Sequence, residues 1–596
     1  MEVKTEWDLS KLFVSLSDPR LAKERTIVSA EVQRFSEKWQ KNSEYMSNEN
    51  SLFEALVEFE TLEENYGTSG KQGYYIGLAQ SLDKTNPEIK ALSGKIEEWA
   101  IGNANKLQFF SLNLGKIDPK KQQEFLTSKK LSKYHHLLAR IFSTAKYDLS
   151  EKEENLLNLL DPFATSSWAK FNSEQLSKKT AKVVIEGNKV EKTLGELNDL
   201  ARDINKETRD VAGKKFSKML DENVFIAEAE MNTLLGFTSS MRKLRGATRP
   251  DEFRHISDDV ESEMVDALLD AVSSKNSIAS RYYPLKARLL GQKQLEYYER
   301  GVEFPVVDKK LSFDEAVSTA YEVFNKIDPE FGQIFTKFAE EGSFDVYPKK
   351  GKSSGAFCAH DGKNDPVYIL LNFTGTMSDI QTLAHECGHG INDELMRKQP
   401  EIYYGTSLAT AEVASTFMED FMLHKLYDEA NDEQRLNLMM NKLNDDIATT
   451  FRQVACYRFE QDLHTEYEEK KFLPGEYISK LFVRRMSEYM GDAISQKYGG
   501  KNFWVYWSHI RNHFYVYSYA SGLLISKSLQ RKVKEDKRYI NKVKEFLSAG
   551  VSDSPANIFK KIGIDITTKD FWNDGLMEIE QLLVEAEQLA SELGKI

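Results

Sequence analysis

The chain has 596 residues, of which 41% are hydrophobic, with 34 Phe and 26 Tyr, enough apolar surface for a large buried core. A net charge of −13 gives no electrostatic footprint for nucleic acid. The three cysteines, Cys358, Cys387 and Cys456, are too few and odd in number for a disulfide framework, and no apolar run of about 18 residues is present to span a membrane.

The N-terminal segment Met1 to Ser10 has neither a basic nor an apolar region, so no signal peptide is expected and the simplest address is cytoplasmic. Only 13 Pro interrupt the chain, and apolar residues recur at spacings of three and four among Glu, Lys and Gln. Leu156, Leu157, Leu159 and Leu160 belong to one such helical stretch, and Leu582, Leu583, Ala586 and Leu589 to another. The run Glu151-Lys152-Glu153-Glu154 reads as a solvated helix face. Residues 182–192 are β-branched and contain Gly187-Asn188, which predicts a hairpin with its turn there. A boundary near residue 200 would separate an N-terminal helical lobe, 1–200, from a catalytic domain, 201–596. Further on, Gly355 to His360 and Val367 to Phe373 read as two strands flanking a polar turn.

Those strands lead into Thr382-Leu383-Ala384-His385-Glu386-Cys387-Gly388-His389-Gly390. This is an HExxH motif. Residues four apart on a helix share one face, so both imidazoles converge on one zinc ion and Glu386 stands beside it as a proton acceptor. Ser378 serves as the expected N-cap, with Gln381 completing a capping box and Asp379 favoured in the first turn. A catalytic zinc takes three protein ligands and leaves one position open. The pattern HExxHxxGxxH fails here, because Asn392 and Leu395 occupy its Gly and last His positions. The third ligand is then sought in the helix predicted downstream of Ser407. There Glu412 lies among the small residues Ala411, Ala414 and Ser415, and Glu419 follows on roughly the same face. Glu394, Glu401, Asp393 and Glu419 compete with Glu412 for that role, although Asp393 and Glu394 are too close in sequence to reach the same ion. Glu419 suits a position behind a ligand imidazole.

The motif, together with Ala411-Glu412-Val413-Ala414-Ser415-Thr416-Phe417-Met418-Glu419, resembles the oligoendopeptidase F family, relatives of thimet oligopeptidase and neurolysin. Ser354-Gly355-Ala356-Phe357, Tyr368-Ile369-Leu370-Leu371-Asn372, Trp507-Ser508-His509 and Phe514 to Gly522 share in the resemblance. It covers residues 200–580 clearly and the N-terminal lobe more loosely. It implies a mainly α, two-lobed, neurolysin-like metallopeptidase with a small β-sheet beside the HExxH helix and a deep channel for short peptides. It also implies that Glu412 is the third zinc ligand and that a His and a Tyr from the 509–522 segment face the metal. His509, Tyr515 and Tyr517 are the candidates as donors to the developing oxyanion, and the choice among Tyr515, Tyr517 and Tyr519 stays open. The relatives commonly carry a further His where this chain has Asn392. The expected activity is zinc-dependent hydrolysis of internal bonds in oligopeptides by activated water, with Glu386 as general base. One zinc per chain is the expected cofactor. Gly355, Ala356 and Phe357, small or on a sheet edge, are the expected substrate-binding positions. Peptides are the expected partners, and nothing requires an oligomer. The residue-level alternative for Tyr515, Tyr517 and Tyr519 is strand or core packing, because they alternate. His509 and His513, also four apart, lack an accompanying carboxylate.

Overall fold

The computed structural model describes residues 2–305 and 310–596, and they form a mainly helical molecule with three small sheets. Helices Pro19–Trp39, Glu49–Asn65 and Pro87–Gly115 pack around Phe35, Trp39, Leu52, Phe109 and Phe110 in a core of their own. A much larger core gathers the side chains from Leu176 to Ala590. Among the described residues no helix is long and apolar enough to cross a membrane.

Local chemistry explains the element ends. Asp18, Asn48 and Asn86 each cap the helix that follows, accepting from backbone N–H groups of its first turn. The hairpin pairs β1 (Thr180–Ile185) with β2 (Asn188–Thr193). Its turn is Glu186-Gly187, at φ of 50° and 78°, and Asn188 already belongs to the second strand. A two-residue turn with both φ positive matches strand twist, so the turn lies one residue earlier than Gly187-Asn188. The charged run at 151–154 is also not wholly solvated. Glu154 is buried and takes a bidentate pair from Arg245, with N–O distances of 2.6 and 2.7 Å.

The sheet that matters for the site has three strands. β3 (Phe344–Asp345) runs parallel to β5 (Tyr368–Leu370), and β4 (Phe357–Ala359) pairs antiparallel to β5 on its other side. β4 is therefore an edge. The N-terminal segment braces this sheet: Trp7 Nε1 donates to Ile369 O at 3.0 Å, and Tyr368 Oη donates to Asp8 O at 2.6 Å.

The motif helix, Met377–Met396, follows β5. Its N-cap is Thr376, and the capping box is completed by Asp379, whose carboxylate accepts from the Thr376 N–H at 2.9 Å. Ser378 thus lies inside the helix, two residues beyond the cap. Asp379 also accepts from Thr374 N–H at 2.9 Å, and this extra bond selects the earlier start. Helix Glu412–Glu429 packs directly on the motif helix, and Tyr517–Glu535 packs on Glu412–Glu429 in turn.

Candidate metal centre

Two glycines set how closely these three helices approach. A Cβ on Gly388 would meet Ala414 O and Ser415 Cα at 2.7 Å, and one on Gly522 would meet Glu412 Cβ at 2.6 Å. Small residues at both crossings let the Glu412 backbone come within carboxylate reach of the HExxH face.

The result is a convergence of His385, His389 and Glu412, whose donor atoms all lie within 4.8 Å of one another. Glu412 Oε2 is 3.4 Å from His385 Nε2 and 3.7 Å from His389 Nε2. A tetrahedral ion with bonds of about 2.0–2.1 Å holds its donors about 3.3–3.4 Å apart, so the set fits such an ion with little adjustment. Each of the three keeps roughly a quarter of its side chain exposed, 27%, 25% and 26% respectively. The centre is therefore open to solvent.

Behind His385, Nδ1 lies 3.1 Å from Glu419 Oε2. This bond leaves Nε2 directed at Glu412, the arrangement a metal-binding imidazole needs. Ser415 Oγ donates to Glu412 Oε2 at 3.1 Å and fixes the carboxylate rotamer. Asp393 and Glu394 are engaged elsewhere, with His360 at 3.1 Å and Arg397 at 2.7 Å.

The charges describe a site built around a cation. Burial disfavours a proton on His385, but hydrogen bonds to Glu412 and Glu419 outweigh it and push the imidazole up to about 10. Glu412 is likewise opposed by burial and held down at about 2 by His385 and His389. His389 falls to about 4, through burial and then the charge on His385. With Glu386, Glu412 and Glu419 all acting on His385, a single proton there is a poor substitute for a divalent ion.

Glu386 is 7% exposed and its carboxyl is pushed up to about 7, by burial first and by Glu412 and Glu419. His385 and the backbone N–H of Cys358 oppose that rise. The edge strand β4 thus reaches the Glu386 carboxyl through its own backbone. Gly355 precedes β4 at φ 80°, and the carbonyls of Ser353 and Gly355 accept from Asn372 Nδ2 at 2.9 and 2.6 Å. Gly355, Ala356 and Phe357 therefore lead into an edge strand pinned beside the metal centre.

The 509–522 segment divides. His509 Nδ1 is hydrogen-bonded to Tyr515 Oη. Tyr519 lies 5.6 Å from the His509 ring, is hydrogen-bonded to Tyr515, and feels the Glu412 charge. Tyr517 is turned away. It is fully buried and donates to Asp258 Oδ2 at 2.7 Å. The alternation seen in the sequence breaks because a helix begins at Tyr517, so Tyr515 and Tyr519 share a side and Tyr517 enters the core. His513 is not beside His509 either. Its ring packs edge-on against His464 at 4.6 Å. Sequence reasoning gave no signal for Lys442, whose Nζ lies 3.8 Å from Glu419 Oε1.

The profile of peptidase family M3 matches residues 200–578, and that of oligopeptidase F matches residues 113–179. Group B oligopeptidase PepB of Streptococcus agalactiae is 24% identical over 603 residues, covering 99% of this chain and 98% of its own. Oligopeptidase PepF of Bacillus subtilis is 27% identical over 617 residues, covering 98% and 89%. Among solved structures, a putative peptidase from Chlamydophila abortus superposes with a TM-score of 0.82 at 22% identity, covering 98% of each chain. Oligoendopeptidase-F from Enterococcus faecium gives 0.72 at 21% identity, covering 97% of this chain and all of its own. The family profile covers most of the chain and includes every group of the metal centre, so this protein belongs to peptidase family M3 and is a metalloendopeptidase of the oligoendopeptidase F type.

Proposed function

We propose that the protein is a zinc-dependent endopeptidase that hydrolyses internal bonds of short oligopeptides. The observation that carries this reading is the convergence of His385, His389 and Glu412, with Glu386 buried beside them. When bound there, zinc lowers the pKa of water and polarises a peptide carbonyl. Two imidazoles and one carboxylate form a donor set suited to zinc, and three protein ligands leave a position open for substrate.

Glu386 is buried beside the three ligand candidates, where its carboxylate can both accept and return a proton. It takes the proton from the attacking water and passes it to the leaving amine. Tyr519, with His509 and Tyr515 behind it, supplies hydrogen-bond donors on the opposite side of the scissile carbonyl. Burial, and then Arg452, hold His509 at about 4, so it acts as a neutral imidazole in a relay with Tyr515. Tyr517 has no part in this, because its hydroxyl is committed to Asp258. A peptide adds along the outer edge of β4 through the main-chain groups that Glu386 and Tyr74 leave open, which places its backbone next to Glu386. Such binding asks for an unfolded chain and little of its side chains.

The test is digestion of a mixed peptide library read by mass spectrometry, with and without a chelator and after adding zinc back. The expected result is internal cleavage that the chelator abolishes and zinc restores. Cleavage only at chain ends, or cleavage indifferent to chelation, would overturn the reading.

A further inference from the structure

Phe514 is held in a backbone conformation that a bulky side chain rarely adopts. Its φ is 65°, in the left-handed region where Cβ crowds the following carbonyl. Three other non-glycine residues share a positive φ among the described residues, each in an ordinary place or of a tolerant type. Glu186 is in the hairpin turn, Lys471 directly follows helix Phe451–Lys470, and Asp259 has a short polar side chain. Phe514 is aromatic and 2% exposed. It lies between the helical turn Ser508–Arg511, which carries His509, and helix Tyr517–Glu535, which carries Tyr519. The reversal there brings Tyr515 Oη onto His509 Nδ1 and leaves the His509 ring 5.6 Å from the rings of Tyr515 and Tyr519. The strain is thus stored in the segment that presents the hydrogen-bond donors.

Helix Phe451–Lys470 seats this segment. Its Tyr457 and His464 rings lie 5.3 and 4.7 Å from the Phe514 ring. Those contacts hold the side chain. The backbone is held by Glu460 on the same helix, whose Oε2 accepts from the Phe514 N–H at 3.1 Å. Glu460 is 0% exposed, and its other carboxyl oxygen has no hydrogen-bond partner. A carboxyl taken fully out of water loses its hydration, and one hydrogen bond to a peptide N–H recovers only part of that. Burial accordingly pushes Glu460 up to about 8, opposed by the Phe514 bond and by Arg254. A buried acid with a single partner is a poor device for stability and a good one for fixing one backbone group. His513, Phe514 and Tyr515 also line a cavity of about 700 Å³ with Phe237, Met241 and Leu408, so the segment has space into which to relax.

We propose that Glu460 is a positioning residue for peptide hydrolysis: by holding the Phe514 N–H it fixes the left-handed turn that sets Tyr515 and His509, and with them Tyr519, toward the scissile carbonyl. This rests on the peptidase reading above, in which those three side chains serve the developing oxyanion. Without the bond, Phe514 relaxes toward negative φ, and Tyr515, the next residue, turns off His509. His385, His389 and Glu412 stand on other helices and keep their places. The loss therefore falls on the chemical step rather than on zinc or peptide binding.

The experiment compares E460Q and E460D in the zinc-loaded full chain, each also made in a Y515F background, on one internally cleaved fluorogenic peptide. Gln keeps the length and an oxygen that accepts from the same N–H. Asp keeps the carboxyl but withdraws it by one methylene. E460D is expected to lower kcat by about 10- to 100-fold with KM little changed and zinc still stoichiometric. E460Q is expected to keep kcat within about threefold of the parent, because reach and not charge is what matters. In the Y515F background E460D should cost less than about threefold more, since the group through which Glu460 acts is already gone. An E460D as active as the parent would overturn the positioning role. So would an E460Q as impaired as E460D, which would make the carboxyl itself the requirement. An E460D loss that persists undiminished beside Y515F would place the effect elsewhere, and one that follows lost zinc or lost circular dichroism would make Glu460 structural only; either overturns the proposal. In all of these the parent still cuts its peptide and the peptidase reading stands. A parent that cuts no peptide would overturn that reading, and the positioning role with it.

Discussion

Glu419 divides its carboxylate between an imidazole of the candidate metal centre and a buried lysine: Oε2 meets His385 Nδ1 at 3.1 Å, and Oε1 lies 3.8 Å from Lys442 Nζ. Lys442 in turn is buried between Asp420 at 2.6 Å and Asp446 at 3.0 Å, and Asp446 is shared with Lys527 at 2.9 Å. The His385 imidazole is thus braced by a buried chain of alternating charges. Replacing Glu419 with Gln keeps the shape and removes the charge. Metal affinity should fall by about 10- to 100-fold, measured by competition with a chelator. An unchanged Kd would show that Glu419 does not orient His385.

Glu386→Gln should retain stoichiometric zinc and lose turnover by about 10²- to 10⁴-fold, because only the proton acceptor is removed. Metal analysis and kcat on one fluorogenic peptide, taken together, check it. Turnover near that of the parent would assign the base elsewhere.

The tyrosines give opposite expectations. Tyr519→Phe should lower kcat by about 10²- to 10³-fold with KM little changed, as loss of an oxyanion donor does. Tyr517→Phe should leave kcat within about twofold and lower thermal stability, because Asp258 loses its buried donor. A reversal of the two phenotypes would return the catalytic role to Tyr517.

Gly388→Ala probes the helix contact alone. The added methyl would lie 2.7 Å from Ala414 O, so the Glu412 helix must move outward. The expected cost is about 1–3 kcal/mol of stability together with weaker zinc retention. Full metal affinity in this variant would mean that the helix crossing does not set the reach of Glu412.

Glu460 gives a pH signature independent of the metal. Its carboxyl is fully buried, accepts from Phe514 N–H at 3.1 Å, and is pushed up to about 8 by burial, against that hydrogen bond and Arg254. The native state keeps this proton where the unfolded chain has lost it. The stabilisation is complete below the ordinary Glu range, about 4.3, and is lost as pH rises through about 8. Glu460→Gln mimics the protonated form. Its melting temperature should match the parent near pH 4 and exceed it increasingly toward pH 9. Parallel curves across that range would contradict a buried neutral Glu460.

The sequence by itself determined what depends on near neighbours. Four-residue spacing on a helix puts His385 and His389 on one face in any fold that keeps the helix, and β-branched runs give β1 and β2 wherever they pack. Even locally, competing caps were not separable by composition. Ser378 and Thr376 are both good N-caps, and the second bond from Asp379 to Thr374 chose between them. The same holds for Tyr517, where alternation suggests a strand until a helix start rotates the residue inward. Tertiary structure decided the rest, because the remaining groups are far apart along the chain. Glu412 reaches the imidazoles only where Gly388 and Gly522 admit two helix crossings. Lys442 and the Cys358 N–H act through distances set by packing.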